Sequence, residues 1–380
     1  MKYLSSKTLT LNTIFSIVGL VPLFFPIVVL LIGLNIAKSG KTPQNFILKS
    51  IVNETRELYF RLNLRNTIQF DSNCFEISRS LIYQPKKNVS CIQDNFEFKN
   101  EVKFGKYRNR IDSYGESSIY DVIVLGDSHG MGWGVSDKEI FTNVLQANGK
   151  RTLNLSVSSY GTARELFTLR RWALKNPKSY KDVEFIVIQY EPGDINENLQ
   201  YLKAPNMVIN AINFDTDWKD WLKNEYSRKN LSHISYKGYP NLIIYPYIIK
   251  SFYSRKIRTL FGQNWNYFDG IEDGSKLKVR NHINHGETLL ALLRSYKDIL
   301  ENKKIIIFVT DSYGIEVDRV RYNLEMEFLK SEQDYLKNIV FSSLDGDDIS
   351  KYYYVIDDHI NPLGHSEMGN KILSLIEKSN

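Results

Sequence analysis

From Asp121 onward the chain alternates short, wholly apolar runs with amphipathic stretches of helical period. The runs Val122 to Leu125, Thr152 to Leu155, Phe185 to Tyr190, Ile305 to Val309 and Ile339 to Phe341 have the continuity expected of parallel strands buried on both faces. Lys138 to Ala147, Ala163 to Leu174 and His285 to Leu300 have the length and period of crossover helices. The pattern predicts a three-layer α/β/α, flavodoxin-like, doubly wound parallel sheet of about five strands over residues 119–380. A stretch rich in Tyr, Trp, Asn and Lys breaks the rhythm and predicts an insertion at 199–281, above the sheet edge where such folds bind ligands. Asn361 reads as the N-cap of a last helix, with Pro362 in its first turn and Met368, Ile372 and Ile376 on one stripe.

The N-terminal pattern is different. Nothing between Lys7 and Lys38 is charged, and Ile14 to Ile36 is almost continuously apolar. About 20 such residues cross a bilayer, so residues 1–40 are expected to form a transmembrane anchor that Pro22 and Pro26 only kink. A cleaved signal peptide is the competing reading. Its apolar region is usually only about 7–15 residues, and Leu34-Asn35-Ile36-Ala37 lacks small residues at both cleavage positions. Residues 41–118 then form a linker helix, from Gln44 to Leu64, and an irregular polar lead-in without readable chemistry. Lys38, Lys41 and Lys49 after the span outnumber Lys2 and Lys7 before it, which favours a cytoplasmic body. Cys74 and Cys91, close enough for a small disulfide, favour the opposite side, and two unrelated buried thiols are the plain alternative. The expectation is a single-pass plasma-membrane protein with its body outside the cytoplasm.

Composition narrows the partners. A chain of 380 residues with 43% hydrophobic and 24% charged residues is ordinary globular material. Its net charge of +6 contains no run of five or six like charges, so nucleic-acid binding is not expected. Neither Cys-x-x-Cys nor His-Glu-x-x-His spacing occurs, so a metal site is not expected. Oligomeric state is not written in the sequence.

Two short stretches carry chemistry. Gly126-Asp127-Ser128-His129-Gly130 ends the first apolar run, where a tight strand-to-helix turn would expose the Ser128 hydroxyl at the sheet's carboxyl edge. An N-cap serine is the plain alternative. The distant partner is Asp357-Asp358-His359, just ahead of the last helix. A serine hydroxyl becomes a nucleophile when an imidazole accepts its proton, and a carboxylate fixes that imidazole's tautomer. Helix-end placement favours a neutral His359. His365 reads as structural and His129 as a cleft-wall residue.

The stretch from Asp121 to about Leu375 resembles the SGNH/GDSL hydrolase superfamily, in a membrane-anchored bacterial envelope form. Gly126-Asp127-Ser128 resembles the first block and Asn154 through Thr162 the second. Glu191-Pro192-Gly193-Asp194-Ile195-Asn196-Glu197-Asn198 resembles the third, and Asp357 through His365 the last. The resemblance implies Ser128, His359 and Asp357 as a catalytic triad that works without metal or organic cofactor. It implies oxyanion or substrate contacts from Ser159, Gly161, Gly193, Asp194 and Asn196. Ser159 stands where the family usually has glycine, and Gly193 stands where its asparagine side chain normally completes the oxyanion hole. Loss of one such donor typically costs about 2.7–4 kcal/mol unless another group such as Asn196 replaces it. Asp357 lies two residues before the histidine instead of the more familiar three. The expected function is a serine esterase or O-acyltransferase acting on acyl, chiefly acetyl, esters of a cell-envelope glycan. A catalytically inactive scaffold that binds carbohydrate is the alternative, and a nucleotide binder ranks behind both because Asp127 stands where a phosphate needs room. The aromatic and basic segment Tyr236 to Phe261 could lie on lipid or line a carbohydrate groove, ordinary helix packing being the plainer account.

Overall fold

Each of the five apolar runs is a strand in the computed structural model, which describes residues 24–61, 68–78, 80–203, 235–236, 239–240, 252–253, 284–314, 316–330, 339–346 and 348–379. The chain divides into two compact units, one of residues 1–66 with 228–280 and one of 67–227 with 281–380.

In the first unit, residues 24–38 are helical and α1 spans Phe46–Arg61. The two approach closely where Gly33 meets Thr55, whose hydroxyl donates to the Ile51 and Val29 carbonyls at 2.8 and 3.4 Å. Among the described residues no helix is long and apolar enough to cross a membrane. α1 carries Lys49, Glu54, Arg56 and Glu57. The absence of such a helix among the described residues corrects the expected single-pass anchor and the plasma-membrane placement drawn from it. Residues 14–23 of the expected span, and most of the 199–281 insertion with its Tyr236 to Phe261 segment, lie outside the described residues.

The second unit carries the sheet. Its strands are β1 Phe75–Ser78, β2 Ile82–Pro85, β3 Val89–Asp94, β4 Lys99–Phe104, β5 Arg110–Ile111, β6 Val122–Leu125, β7 Thr152–Asn154, β8 Phe185–Tyr190, β9 Lys304–Val309 and β10 Ile339–Ser343. β1 and β2 form a separate antiparallel pair, and the remaining eight form one sheet in the order β10-β9-β8-β6-β7-β5-β4-β3. β10 through β7 pair in parallel; β5, β4 and β3 add antiparallel to β7. The sheet is therefore eight-stranded and mixed, which corrects the expected five-stranded, all-parallel flavodoxin-like sheet. The extension escapes a search for apolar runs because one of its faces is wet. Val102 and Phe104 of β4 are buried while Glu101 and Lys103 between them are exposed. A Cys74–Cys91 disulfide, with Cα atoms 5.7 Å apart, joins the start of β1 to β3.

Helices α2 Ser128–Met131, α3 Thr142–Ala147, α4 Thr162–Lys175, α5 Pro177–Asp182, α6 Ile195–Lys203, α7 His285–Arg294, α8 Lys297–Leu300, α9 Val317–Leu329 and α10 Pro362–Lys378 follow the strands. The expected His285 to Leu300 helix is broken into α7 and α8. Ile123, Leu125, Leu153, Ile186, Ile188, Ile305 and Ile307 pack with α4, α7 and α9 in one core. Val122, Val124, Phe185, Val187 and Phe308 alternate with them, are buried too, and face the side where α10 packs on α3. Such double burial is what made the runs wholly apolar.

Candidate active site

The site forms at the carboxyl ends of β6 and β8, where the parallel strand order reverses direction and open α/β sheets place their ligands. β6 ends at Leu125, and the chain turns through Gly126 and Asp127 into α2. A Cβ at Gly126 would stand 2.5 Å from the Gln189 Oε1, closer than packed atoms allow, so glycine is required there. Gln189, from β8, braces the turn: its Oε1 accepts the Asp127 and Gly130 N–H groups at 2.9 and 3.0 Å, while its Nε2 donates to Thr310 Oγ1 at 2.7 Å. Asp127 caps α2 by accepting the His129 N–H at 2.8 Å. Ser128, half-buried, is thereby fixed at the first position of that short helix.

Ser128 Oγ lies 2.7 Å from His359 Nε2, across 231 positions of sequence. His359 Nδ1 lies 2.5 Å from Asp357 Oδ1 and 3.1 Å from Asp358 Oδ1. Asp357 also accepts the His359 backbone N–H at 3.1 Å, so one carboxylate orients both the ring and its main chain. The Trp133 ring stacks on His359 at 5.3 Å between centroids and the His129 ring lies at 4.9 Å on a tilt. His129 therefore is a wall residue, held well below its ordinary pKa by burial and by the His359 charge. His365 is fully buried, stacked on Phe141, and pushed down to about 3 by burial.

Electrostatics departs from the sequence expectation of a neutral imidazole. Burial alone would lower the His359 pKa, but Asp357 and Asp358 outweigh it and hold the ring up at about 9. Two carboxylates against one ring nitrogen exceed what a helix N-terminus contributes. The surroundings are acidic as well. Burial raises Asp127 to about 6, and burial followed by the Asp127 charge raises Glu191 to about 8. Glu165 and Asp194 are raised by burial first, then by neighbouring carboxylates.

The lead-in region reaches this site, which the sequence reading did not foresee. Asn95, in the β3–β4 turn, donates its Nδ2 to Asp357 Oδ2 at 2.5 Å. Glu97, two residues on, accepts the consecutive N–H groups of Val355, Ile356 and Asp357 at 2.7, 2.9 and 2.6 Å. Desolvation of that carboxylate outweighs the three bonds and pushes its pKa up to about 7. Gln93 of β3 accepts the Gly134 N–H at 2.9 Å, tying the loop after α2 to the same hairpin. The turn Asn95-Phe96-Glu97-Phe98 matches no catalytic spacing, so no local signal marks Asn95 or Glu97.

The residues expected at the oxyanion hole are placed unevenly. Ser159 is exposed and holds a left-handed φ of 60°, a backbone state that glycine adopts more readily than serine. Among the described residues the N–H groups of Ser128, Ser159 and Gly161 have no acceptor. Gly161 is the N-cap of α4. Gly193 is exposed and turns its N–H to Glu191 Oε2 at 2.5 Å. Asp194 is buried and accepts the Thr162 hydroxyl at 2.9 Å, joining the turn after β8 to the start of α4. Asn196 is exposed on α6. For a cation, the described residues offer two groups whose oxygen or nitrogen ligands lie within 4.8 Å of one another, Asp357 with Asp358 and His359, and Asp127 with Glu191 and Asp194. The first is committed to the Ser128 relay. No family model matches the chain, and no curated protein matches it.

Proposed function

We propose that the second unit is a serine esterase or O-acyltransferase that works on acyl esters of a glycan through Ser128, His359 and Asp357. The observation that carries this reading is the unbroken relay from the Ser128 hydroxyl through both His359 nitrogens to the Asp357 carboxylate, at 2.7 and 2.5 Å. In the reaction, Ser128 Oγ attacks the ester carbonyl carbon while its proton passes to His359 Nε2. The oxyanion is held by the N–H groups of Ser128, Ser159 and Gly161. His359 returns the proton to the departing sugar oxygen as the ester bond breaks, leaving an acyl-serine. Water completes hydrolysis; a second sugar hydroxyl completes transfer. Asp357 keeps Nδ1–H facing itself, so that Nε2 presents its lone pair to Ser128.

Gly193 favours a second reading, a carbohydrate-binding scaffold without turnover, because it brings no side chain to the oxyanion. A fluorophosphonate probe separates the two: an adduct on Ser128 in wild type, absent in Ser128→Ala, is expected of the enzyme. A folded chain that takes no adduct overturns it. Acetate release from O-acetylated glycans by wild type and Ser128→Ala identifies the reaction.

A further inference from the structure

A second concavity in the same unit has a lining of one charge sign. It encloses about 130 Å³ between the C-terminal half of α4, the β1–β2 hairpin and the β4–β5 turn, and none of Ser128, His359 or Asp357 lines it. Lys87, Lys106, Arg108, Arg171 and Lys175 line it, and no acidic residue does. Glu76 neutralises Arg108 at 2.7 Å. The other four form no ion pair among the described residues. Like charges gathered round a concavity repel one another, and a protein wall focuses their field into it. That arrangement is stabilised by an anion seated between them.

The wall behind the charges is aromatic. Tyr107 and Trp172 meet edge-to-face at 5.9 Å, and Trp172 is buried with its Nε1–H lacking an acceptor among the described residues. Both rings line the pocket. Apolar faces with few convergent polar groups suit a compact ring that carries hydroxyls, and guanidinium and ammonium groups suit a carboxylate or phosphate on it. Leu155, Val157 and Tyr160 complete the wall and flank Ser159 on the loop that supplies the proposed oxyanion donors.

We propose that this pocket binds a sugar unit bearing a carboxylate or a phosphate. Resting on the reading of Ser128 as the nucleophile, this makes the acylated glycan an anionic one.

The test is isothermal titration of full-length Ser128→Ala with glucuronic acid, glucose 6-phosphate and glucose, and with inorganic phosphate as the bare anion. One or both anionic sugars should bind at least tenfold more tightly than glucose and than phosphate, and their relative affinity identifies which charged group is preferred. The double substitution Arg171→Gln, Lys175→Gln, at a half-buried and an exposed position of α4 and with the fold checked by circular dichroism, should lower that affinity at least tenfold. Equal binding of glucose and both charged sugars, tightest binding by bare phosphate, or unchanged affinity in the double variant overturns the proposal. Fluorophosphonate labelling of wild type is run beside it. Labelling without sugar binding removes the pocket assignment alone, whereas sugar binding without labelling removes the esterase reading and leaves the pocket standing.

Discussion

On the proposed esterase reading, replacing Asp358 by Asn should speed the reaction of Ser128 at neutral pH. A base must be neutral to take the Ser128 proton, yet His359 is held at about 9 by the two carboxylates beside it. With that value about 1% of the imidazole is neutral at pH 7, each unit of pH changing the fraction about tenfold below the pKa. Asp358 Oδ1 stands 3.1 Å from Nδ1, but its side chain keeps 18% exposure, whereas Asp357 is fully buried at 2.5 Å. An opposite charge at such range shifts a pKa by roughly 1–3 units, and partial solvation puts Asp358 at the lower end. Asp358→Asn should therefore move the apparent pKa from about 9 to about 8 and raise the pH 7 rate by up to about tenfold, while the slightly weaker base lowers the alkaline plateau somewhat. The assay is the second-order rate of fluorophosphonate labelling of Ser128 from pH 6 to 10 in both proteins. An unmoved midpoint, or a lower rate at pH 7 with the fold intact by circular dichroism, refutes the electrostatic account of His359.

Two further outcomes test the support of the site. Glu97→Gln replaces one N–H acceptor oxygen by an amide that cannot accept, so the segment 355–357 loses part of its anchor; labelling of Ser128 should fall at least tenfold across the whole pH range, with Glu97→Asp recovering part of the rate, and a profile that merely shifts along the pH axis contradicts a positioning role. Removing the Cys74–Cys91 disulfide, which closes a separation of 17 residues, should lower unfolding stability by about 3 kcal/mol in urea titration, and an unchanged midpoint would show that the β1–β3 region does not unfold with the rest.

How legible the molecule was depended on whether a residue announces itself locally. The parallel strands did, because burial on both faces leaves unbroken apolar runs such as Ile305 to Val309. Ser128 and His359 did so through their neighbours, a glycine turn after a strand and an N-capped helix. β3 to β5 did not, since Ser90, Glu101 and Lys103 on their wet face interrupt every apolar run. Asn95 and Glu97 did not either: their value comes from the segment they meet roughly 260 positions later, which no local pattern encodes. The apolar N-terminal stretch read as a membrane span, whereas no helix among the described residues is long and apolar enough to cross a membrane.

Electrostatic surroundings also bear on how the proposed site would hold an oxyanion without a side-chain donor at Gly193. Asp127, Glu191, Asp194 and Glu165 are all raised by burial, and the Asp127 charge is a neighbour to each of the other three. A negative field at that edge opposes a developing oxyanion, so it is tolerable only while protons remain on some of these carboxyls. His359 carries a proton in the resting state and again once it has taken the Ser128 proton, which places a positive charge next to the oxyanion when that charge forms. The imidazolium thus supplies electrostatically part of what the Gly193 position lacks as a hydrogen-bond donor. On this account the elevated His359 pKa slows the first proton transfer at neutral pH and stabilises the state that follows it. Asp358→Asn should then speed acylation at pH 7 while leaving the alkaline rate below that of wild type.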